Sequence, residues 1–131
     1  AVAGGLESIS LTQNKHKNNY RNRSEAIRDL VREALVREQW GDPARQVAAT
    51  LTLVYDHHTR TLGDRLTDLQ HDHGDLIVST LHVHLDHHHC LEVIILRGRS
   101  GRIRKLADSV ACIKGVMHST LALSTIGNGL E

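Results

Sequence analysis

The sequence predicts an α+β chain in which a helical N-terminal part precedes a four-stranded antiparallel sheet with two helices. Two observations indicate this class. Apolar residues recur at helical spacing up to about residue 40, and from residue 47 onward strand-like and helix-like segments follow one another. The only proline, Pro43, lies in the sequence GDP between the two parts. We therefore expect two domains, residues 1–43 and 44–131.

The N-terminal part contains one short strand and one long helix. Residues 6–12 (LESISLT) alternate apolar and polar side chains, which predicts a strand that needs a partner, such as the same strand of a second copy. Residues 22–40 carry apolar side chains on one helical face, with Ser24 or Asn22 available as the N-cap. This segment is predicted to be a helix that ends at GDP.

The C-terminal part alternates strands and helices. Strands are predicted at 47–55, 75–85, 90–98 and 116–125, and helices at 59–70 and 101–115. The order β-α-β-β-α-β is that of the ferredoxin-like fold, a four-stranded antiparallel sheet with two helices on one face. Because one Trp and two Tyr are the only aromatic residues, we expect a core of leucine, isoleucine, valine and alanine.

Composition limits the classes of protein. The chain has 16 basic and 15 acidic residues, so it is not a nucleic-acid polycation as a whole. Residues 15–23 (KHKNNYRNR), which include Arg23, form a short basic stretch that suits either phosphate contact or a solvated loop. Without a long apolar run, a signal-peptide pattern or more than two cysteines, we expect a cytoplasmic protein outside the membrane. We find no nucleophile motif or phosphate loop, and therefore expect no enzyme.

One segment, LHVHLDHHHC at 81–90, has a pattern suited to a metal ion. His82 and His84 share a strand face because residues two apart in a strand point the same way. A tight connection after them would bring Cys90, at the start of the next strand, within reach of His84. Two imidazoles and a thiolate suit a borderline or soft transition ion, and Glu92 is placed to orient a histidine. The alternative is that these histidines only decorate the surface.

Alternation also predicts which side of the sheet carries this site. Leu81, Val83 and Leu85 are expected to point into the helix-covered core. His82 and His84 would then point away from the core.

A closed site needs a fourth donor, and two other histidines are available. His71 and His73 lie at the end of the preceding predicted helix, and spacing does not choose between them. Cys112 lies among apolar residues of the last helix, so we expect it to be packed in the core. The turn histidines are not favoured as ligands; they are His87, His88 and His89.

Three segments together resemble the nickel-responsive transcriptional regulators of the NikR family. They are NRSEAIRDLVREAL at 22–35, QHDHGD at 70–75 and STLHVHLDHHHCLEVIILRG at 79–98, and the resemblance covers about residues 18–125. It implies an N-terminal ribbon-helix-helix DNA-binding domain and a ferredoxin-like domain of the ACT type. In this family the second domain binds nickel and forms a homotetramer, a dimer of dimers.

The resemblance also implies a ligand set with one Ni²⁺ per subunit. His82, His84 and Cys90 match three nickel ligands of one subunit, and His71 matches the fourth ligand, which another subunit donates. The family's site is square planar, a geometry that suits Ni²⁺ or Cu²⁺ better than zinc, which prefers a tetrahedron.

Other family residues concern DNA. Glu25 and Asp29 match acids that bind a second cation where the two domains meet on DNA. Arg60 matches a basic residue that contacts phosphate.

The predicted N-terminal strand matches the family ribbon only in part. Ser8 and Ser10 match positions on the face that enters the major groove, whereas Leu6 stands where the family has arginine. Only eight residues separate Leu11 from Tyr20, so we expect a shortened ribbon-helix-helix domain.

The resulting hypothesis is a nickel-dependent repressor of nickel-uptake genes that binds a palindromic double-stranded operator. Three alternatives stay open at this point. They are a metal buffer or chaperone without a DNA role, a regulatory domain that senses an amino acid, and a metalloenzyme.

Overall fold

The computed structural model describes residues 22–59 and 62–130. Its elements are α1 (Arg23–Gly41), β1 (Gln46–Asp56), α2 (Leu62–Asp72), β2 (Ile77–His84), β3 (His89–Arg99), α3 (Ser100–Ala111) and β4 (Val116–Leu123). The four strands form one antiparallel sheet in the order β2-β3-β1-β4, and this confirms the ferredoxin-like fold. The predicted strand at 6–12 lies outside the described residues.

Helix α1 begins at a side-chain cap and ends in the core of the sheet. The Glu25 N–H donates to Asn22 Oδ1 at 2.9 Å, so Asn22 is the N-cap. At the other end, Trp40 is 3% exposed, and its Nε1–H donates to the Ser124 carbonyl at 2.8 Å. The last turn of α1 is therefore packed onto the sheet that follows it.

The central strand β1 determines where the core lies. Its buried side chains alternate with partly exposed ones from Val47 to Tyr55. They pack with Leu62 and Leu66 of α2 and with residues of α3; the α3 members are Ile103, Leu106, Ala107 and Val110. Burying an aliphatic side chain contributes about 1.5–3 kcal/mol, so this layer accounts for much of the stability.

The orientation of β2 is opposite to the prediction. Leu81, Val83 and Leu85 are 61%, 42% and 52% exposed, not buried under the helices. In the β2–β3 pairing His84 stands opposite Cys90, which is 0% exposed. Residues directly opposite each other share a face. The site histidines therefore lie on the helix-covered face of the sheet.

The other side of the sheet carries apolar side chains with no layer over them in the described chain. We call this side the open face; it includes Leu81, Val83 and Ile95, of which Ile95 is 43% exposed. Such a patch commonly marks an interaction surface. Within residues 22–59 and 62–130, no helix is both long and apolar enough to span a membrane.

Cys112 is exposed, so the prediction that it packs in the core is wrong. Helix α3 ends at Ala111, and Cys112 follows as its C-cap. The buried position at this end is taken by Ile113, which is 4% exposed.

Candidate metal centre

The turn between β2 and β3 is held by one aspartate. Asp86 Oδ1 accepts hydrogen bonds from the backbone N–H groups of His88 and His89, both at 2.8 Å. Its carboxylate also contacts Nδ1 of His89 at 2.9 Å, which raises the pKa of that imidazole and lowers the pKa of Asp86. These contacts fix the hairpin that carries the histidine–cysteine pattern.

Cys90 is the centre of a cluster of possible metal ligands. Its Sγ lies 3.4 Å from Nδ1 of His57 and 3.4 Å from Nδ1 of His84. The three donor atoms lie within 4.8 Å of one another, and no other group among the described residues meets this condition. Cys90 is buried while both imidazoles are exposed, so the cluster opens to solvent on its histidine side.

His82 lies beside this cluster and contacts Tyr55. Its Nδ1 is 3.2 Å from the Tyr55 hydroxyl, and its ring centroid is 5.1 Å from that of His84. Burial, followed by the charges of Glu92 and Cys90, raises the pKa of Tyr55 to about 12. The hydroxyl therefore stays protonated. If His82 donates its Nδ1–H to the Tyr55 oxygen, Nε2 keeps a free lone pair for a metal.

Glu92 connects the site to helix α2. Glu92 is only 7% exposed, and its carboxylate accepts a hydrogen bond from Gln70 Nε2 at 3.1 Å. It stands opposite His82 in the strand pairing. Since Gln70 directly precedes His71, this hydrogen bond ties the end of α2 to the strands that carry the cluster.

The electrostatic surroundings favour the neutral forms of Cys90 and His57. Burial, then the charges of Glu92, Asp86 and Asp56, raise the pKa of the Cys90 thiol. Desolvation, then the neighbouring imidazoles, lower the pKa of His57. A metal-bound cysteine has to be a thiolate, so binding a cation here releases the thiol proton.

The other predicted ligands lie apart from the cluster. His71 is exposed near the end of α2, and His73 follows that helix, partly buried. The ligand roles of His71, His82, His84 and Cys90 stay predictions.

The residues predicted to act on DNA lie far along the chain from this cluster or outside the described part. Glu25 and Asp29 line a surface cavity of about 320 Å³ on α1. Arg23 is exposed at the first position of the same helix. Ser8, Ser10 and Arg60 lie outside the described residues, so their DNA-binding roles stay predictions.

Sequence reasoning missed His57. The signal was present: alternate residues of β1 are buried up to Tyr55, and two further steps along the chain bring His57 to the same face. The His57 N–H donates to the His88 carbonyl at 3.1 Å, which extends the pairing of β1 past its end. The predicted strand ends at Tyr55 and the predicted helix begins at residue 59, so the sequence prediction assigns His57 to neither element.

The donor set suits a transition metal of borderline or soft character. Imidazole nitrogen and thiolate sulfur are donors that Ni²⁺, Cu²⁺ and Zn²⁺ all accept, whereas Mg²⁺ and Ca²⁺ prefer oxygen. Because the three donor atoms already lie within 4.8 Å of one another and are of types that Ni²⁺ accepts, these residues fit a nickel ion.

Comparison with solved structures supports the fold alone. The uncharacterized protein TM1266 from Thermotoga maritima matches 60% of this chain and 96% of its own, with a TM-score of 0.54 and 15% identity.

Comparison of sequences identifies the family of this chain. Residues 48–124 match the family described as the NikR C terminal nickel binding domain. A relative in Solibacter usitatus is 56% identical over 82% of this chain and 78% of its own, and one in Desulfovibrio desulfuricans is 55% identical over 87% and 82%. A third, in Nitratidesulfovibrio vulgaris (strain DSM 19637 / Miyazaki F), is 52% identical over 85% and 80%. All three are named as nickel-responsive regulators. The chain therefore belongs to the family of nickel-responsive regulators, and nickel is its metal.

Proposed function

We propose that this protein is a nickel-dependent repressor that binds DNA in the cytoplasm and lowers transcription of nickel-uptake genes. The observation that carries the proposal is the convergence of His57 and His84 on the Cys90 sulfur. A buried thiol between two imidazoles suits a soft metal ion. Membership of the family supports nickel as that ion and regulation as the function.

The ligand set that we propose is His82, His84 and Cys90 of one subunit with His71 of another, one Ni²⁺ for each subunit. Three observations support it. His84 already contacts Cys90, and His82 can present Nε2 next to them while Tyr55 holds its other nitrogen. His71 is exposed, so a second copy of the chain can reach it.

A second ligand set is favoured by distance within one chain. In it, His57 joins His84 and Cys90, as the 4.8 Å grouping indicates. The two sets share His84 and Cys90 and differ only in the remaining imidazoles. They are therefore separated by substituting His57 and His82 in turn.

The proposed assembly is a homotetramer, a dimer of dimers. The open face supports it, because Leu81, Val83 and Ile95 present apolar area that a second copy would remove from water. A site shared between subunits also requires that at least two copies associate.

Coupling between metal and DNA is supported by contacts of the segment after β1. The His58 ring Nε2 lies 2.9 Å from the His87 carbonyl, which links this segment to the β2–β3 turn. Two residues beyond His58 the chain reaches Arg60, for which we propose a phosphate contact. Ligands that fix His84 and Cys90 would hold the hairpin, and through His58 the approach to Arg60. Nickel can promote DNA binding only if it binds the DNA-competent arrangement of the protein more tightly than the arrangement that does not bind DNA.

The proposed DNA contacts in the N-terminal part are those of Ser8, Ser10 and Arg23, with Glu25 and Asp29 for a second cation. The operator would be palindromic double-stranded DNA, since a symmetric assembly reads two half-sites. The alternative function is a metal buffer or chaperone that binds nickel and leaves DNA alone.

The first test is a nickel titration of reduced protein, followed by the thiolate-to-nickel absorbance. We expect one nickel per chain, loss of the band in Cys90→Ala, and an unchanged titration in the control His88→Ala, whose ring is in the turn. Binding that survives Cys90→Ala but weakens in His88→Ala would contradict the site.

The second test separates repressor from buffer. The protein is mixed with a pool of randomised duplexes with and without nickel, and the retained DNA is sequenced. Enrichment of a palindrome only with nickel supports the repressor. Nickel binding without enrichment supports the buffer.

A further inference from the structure

A cavity of about 430 Å³ lies at the end of the sheet opposite to the metal centre. It is bounded by Gln46 at the start of β1, by the segment that leads into β2, by the end of β3 and by the first turn of α3. Its lining residues include three arginines: Arg97, Arg99 and Arg102. We call it the arginine cavity.

The arginine cavity carries excess positive charge. Among the described residues, Asp75 is the only acidic one in its lining. It pairs with Arg102, whose Nη2 donates to Asp75 Oδ1 at 3.2 Å and whose Nη1 contacts Oδ2. The pairing lowers the pKa of Asp75 and raises that of Arg102. Arg97 and Arg99 have no carboxylate partner among the described residues, so two guanidinium charges remain uncompensated.

Close backbone packing forms this cavity. The Arg97 N–H donates to the Leu76 carbonyl at 2.8 Å, and a Cβ at Gly98 would overlap the Leu76 side chain. A glycine at this position thus allows β3 to approach the segment before β2. That approach brings Asp75 against Arg102 of α3 and closes one wall.

The start of α3 adds to the positive potential. The helix has no acidic residue in its first turn and no side-chain cap. Its first two N–H groups, of Ser100 and Gly101, donate to the carbonyls of Arg45 and Pro43. The next residue is Arg102, so the positive end of the helix dipole and the guanidinium act in the same direction.

We propose that the arginine cavity binds a phosphate-class oxyanion, either free phosphate or a phosphate of the DNA backbone. Guanidinium groups present several N–H donors in a planar fork that matches phosphate oxygens. Arg97 and Arg99 come from a strand and Arg102 comes from a helix, so they can address different oxygens of a tetrahedral group. A carboxylate offers only two oxygens. The Gln46 amide adds a neutral donor at the rim.

The test uses the full nickel-loaded chain and inorganic phosphate at constant ionic strength, followed by the amide NMR signals of Gly98 and Gly101. We expect saturable shifts. In the double variant Arg97→Gln/Arg99→Gln, the dissociation constant should rise at least about tenfold, since hydrogen bonds to charged groups are the strong ones. The control Lys105→Gln, an exposed cation of α3 outside the cavity, should titrate as the native chain does.

Non-saturable shifts in the native chain, or equal dissociation constants in all three proteins, would overturn the proposal. The thiolate-to-nickel absorbance and the far-UV circular dichroism of the double variant should match those of the native chain. That match shows that phosphate binding is lost without unfolding, and it keeps this test independent of the metal site.

A second measurement identifies the source of the phosphate. Binding of a random-sequence duplex is followed by fluorescence anisotropy as salt is raised. If a DNA phosphate occupies the cavity, the slope of log K against log salt should become less negative in the double variant by about 0.9 for each cavity that holds a phosphate. If the slope is unchanged while phosphate binding is lost, the ligand is the free anion. An unchanged slope together with unchanged phosphate binding refutes both forms.

Discussion

Replacing Tyr55 with phenylalanine should weaken nickel binding and leave the fold intact. The substitution removes one hydrogen bond, the 3.2 Å contact between the hydroxyl and His82 Nδ1, and keeps the buried ring. Without this partner the His82 imidazole can rotate and can exchange its tautomer. Loss of a group that orients a metal ligand commonly costs about 10–100-fold in affinity.

The geometry places the expected loss at the lower end of that range. A separation of 3.2 Å is at the long limit of a hydrogen bond, so we expect about a tenfold loss, equivalent to about 1.4 kcal/mol. The free energy of unfolding without metal should change by less than about 1 kcal/mol, because His82 is exposed and water can replace the hydroxyl.

The assay is a nickel titration against a competing chelator, followed by the thiolate-to-nickel absorbance. Thr120→Val is the matched control, since the Thr120 hydroxyl contacts the His118 imidazole at 2.8 Å on the edge strand β4, away from the cluster. That variant should bind nickel as the native chain does. Equal affinity of Tyr55→Phe and the native chain would refute the reasoning and would favour His57 as the third ligand.

Three further outcomes are expected. Burial raises the pKa of the Cys90 thiol, so nickel binding below that pKa should release the thiol proton, and nickel affinity should rise about tenfold per pH unit as pH increases. Calorimetry in two buffers measures the proton release. Proton uptake or pH-independent binding would contradict this expectation. Trp40→Ala should lower the free energy of unfolding by about 3–5 kcal/mol in urea followed by circular dichroism, and a change below 1 kcal/mol would show that the last turn of α1 does not belong to the core. Gly98→Ala should lower the free energy of unfolding by about 1–3 kcal/mol, because the added Cβ would overlap the Leu76 side chain. The control Gly63→Ala, with no atom within 4 Å of its added Cβ, should leave the free energy of unfolding nearly unchanged or slightly raised.

The element order could be predicted because each strand and helix has its own period. The predicted strand at 47–55 differs from β1 by one residue at each end, and the predicted helix at 22–40 differs from α1 similarly. These periods reflect local geometry and burial, which the chain carries in its own residues.

The orientation of β2 could not be predicted because alternation shows that a face is apolar without showing what covers it. Leu81, Val83 and Leu85 look like a core face, yet the helices of this chain cover the opposite side. Their apolar character suits a face that another copy covers. The alternation of β1 indicates the face on which His57 lies, but its closeness to Cys90 depends on the pairing of β1 with β3, which a local period does not show.

Because Trp40 is buried, a tilt of α1 at this end would be amplified along the helix. Its 19 residues extend about 28 Å from an end that is fixed in the core of the sheet. A tilt of about 5° at that end would move the other end by about 2.5 Å, close to half of a helical turn. Small changes in the packing around Trp40 would therefore displace the first turn of α1 far enough to make or break a contact there.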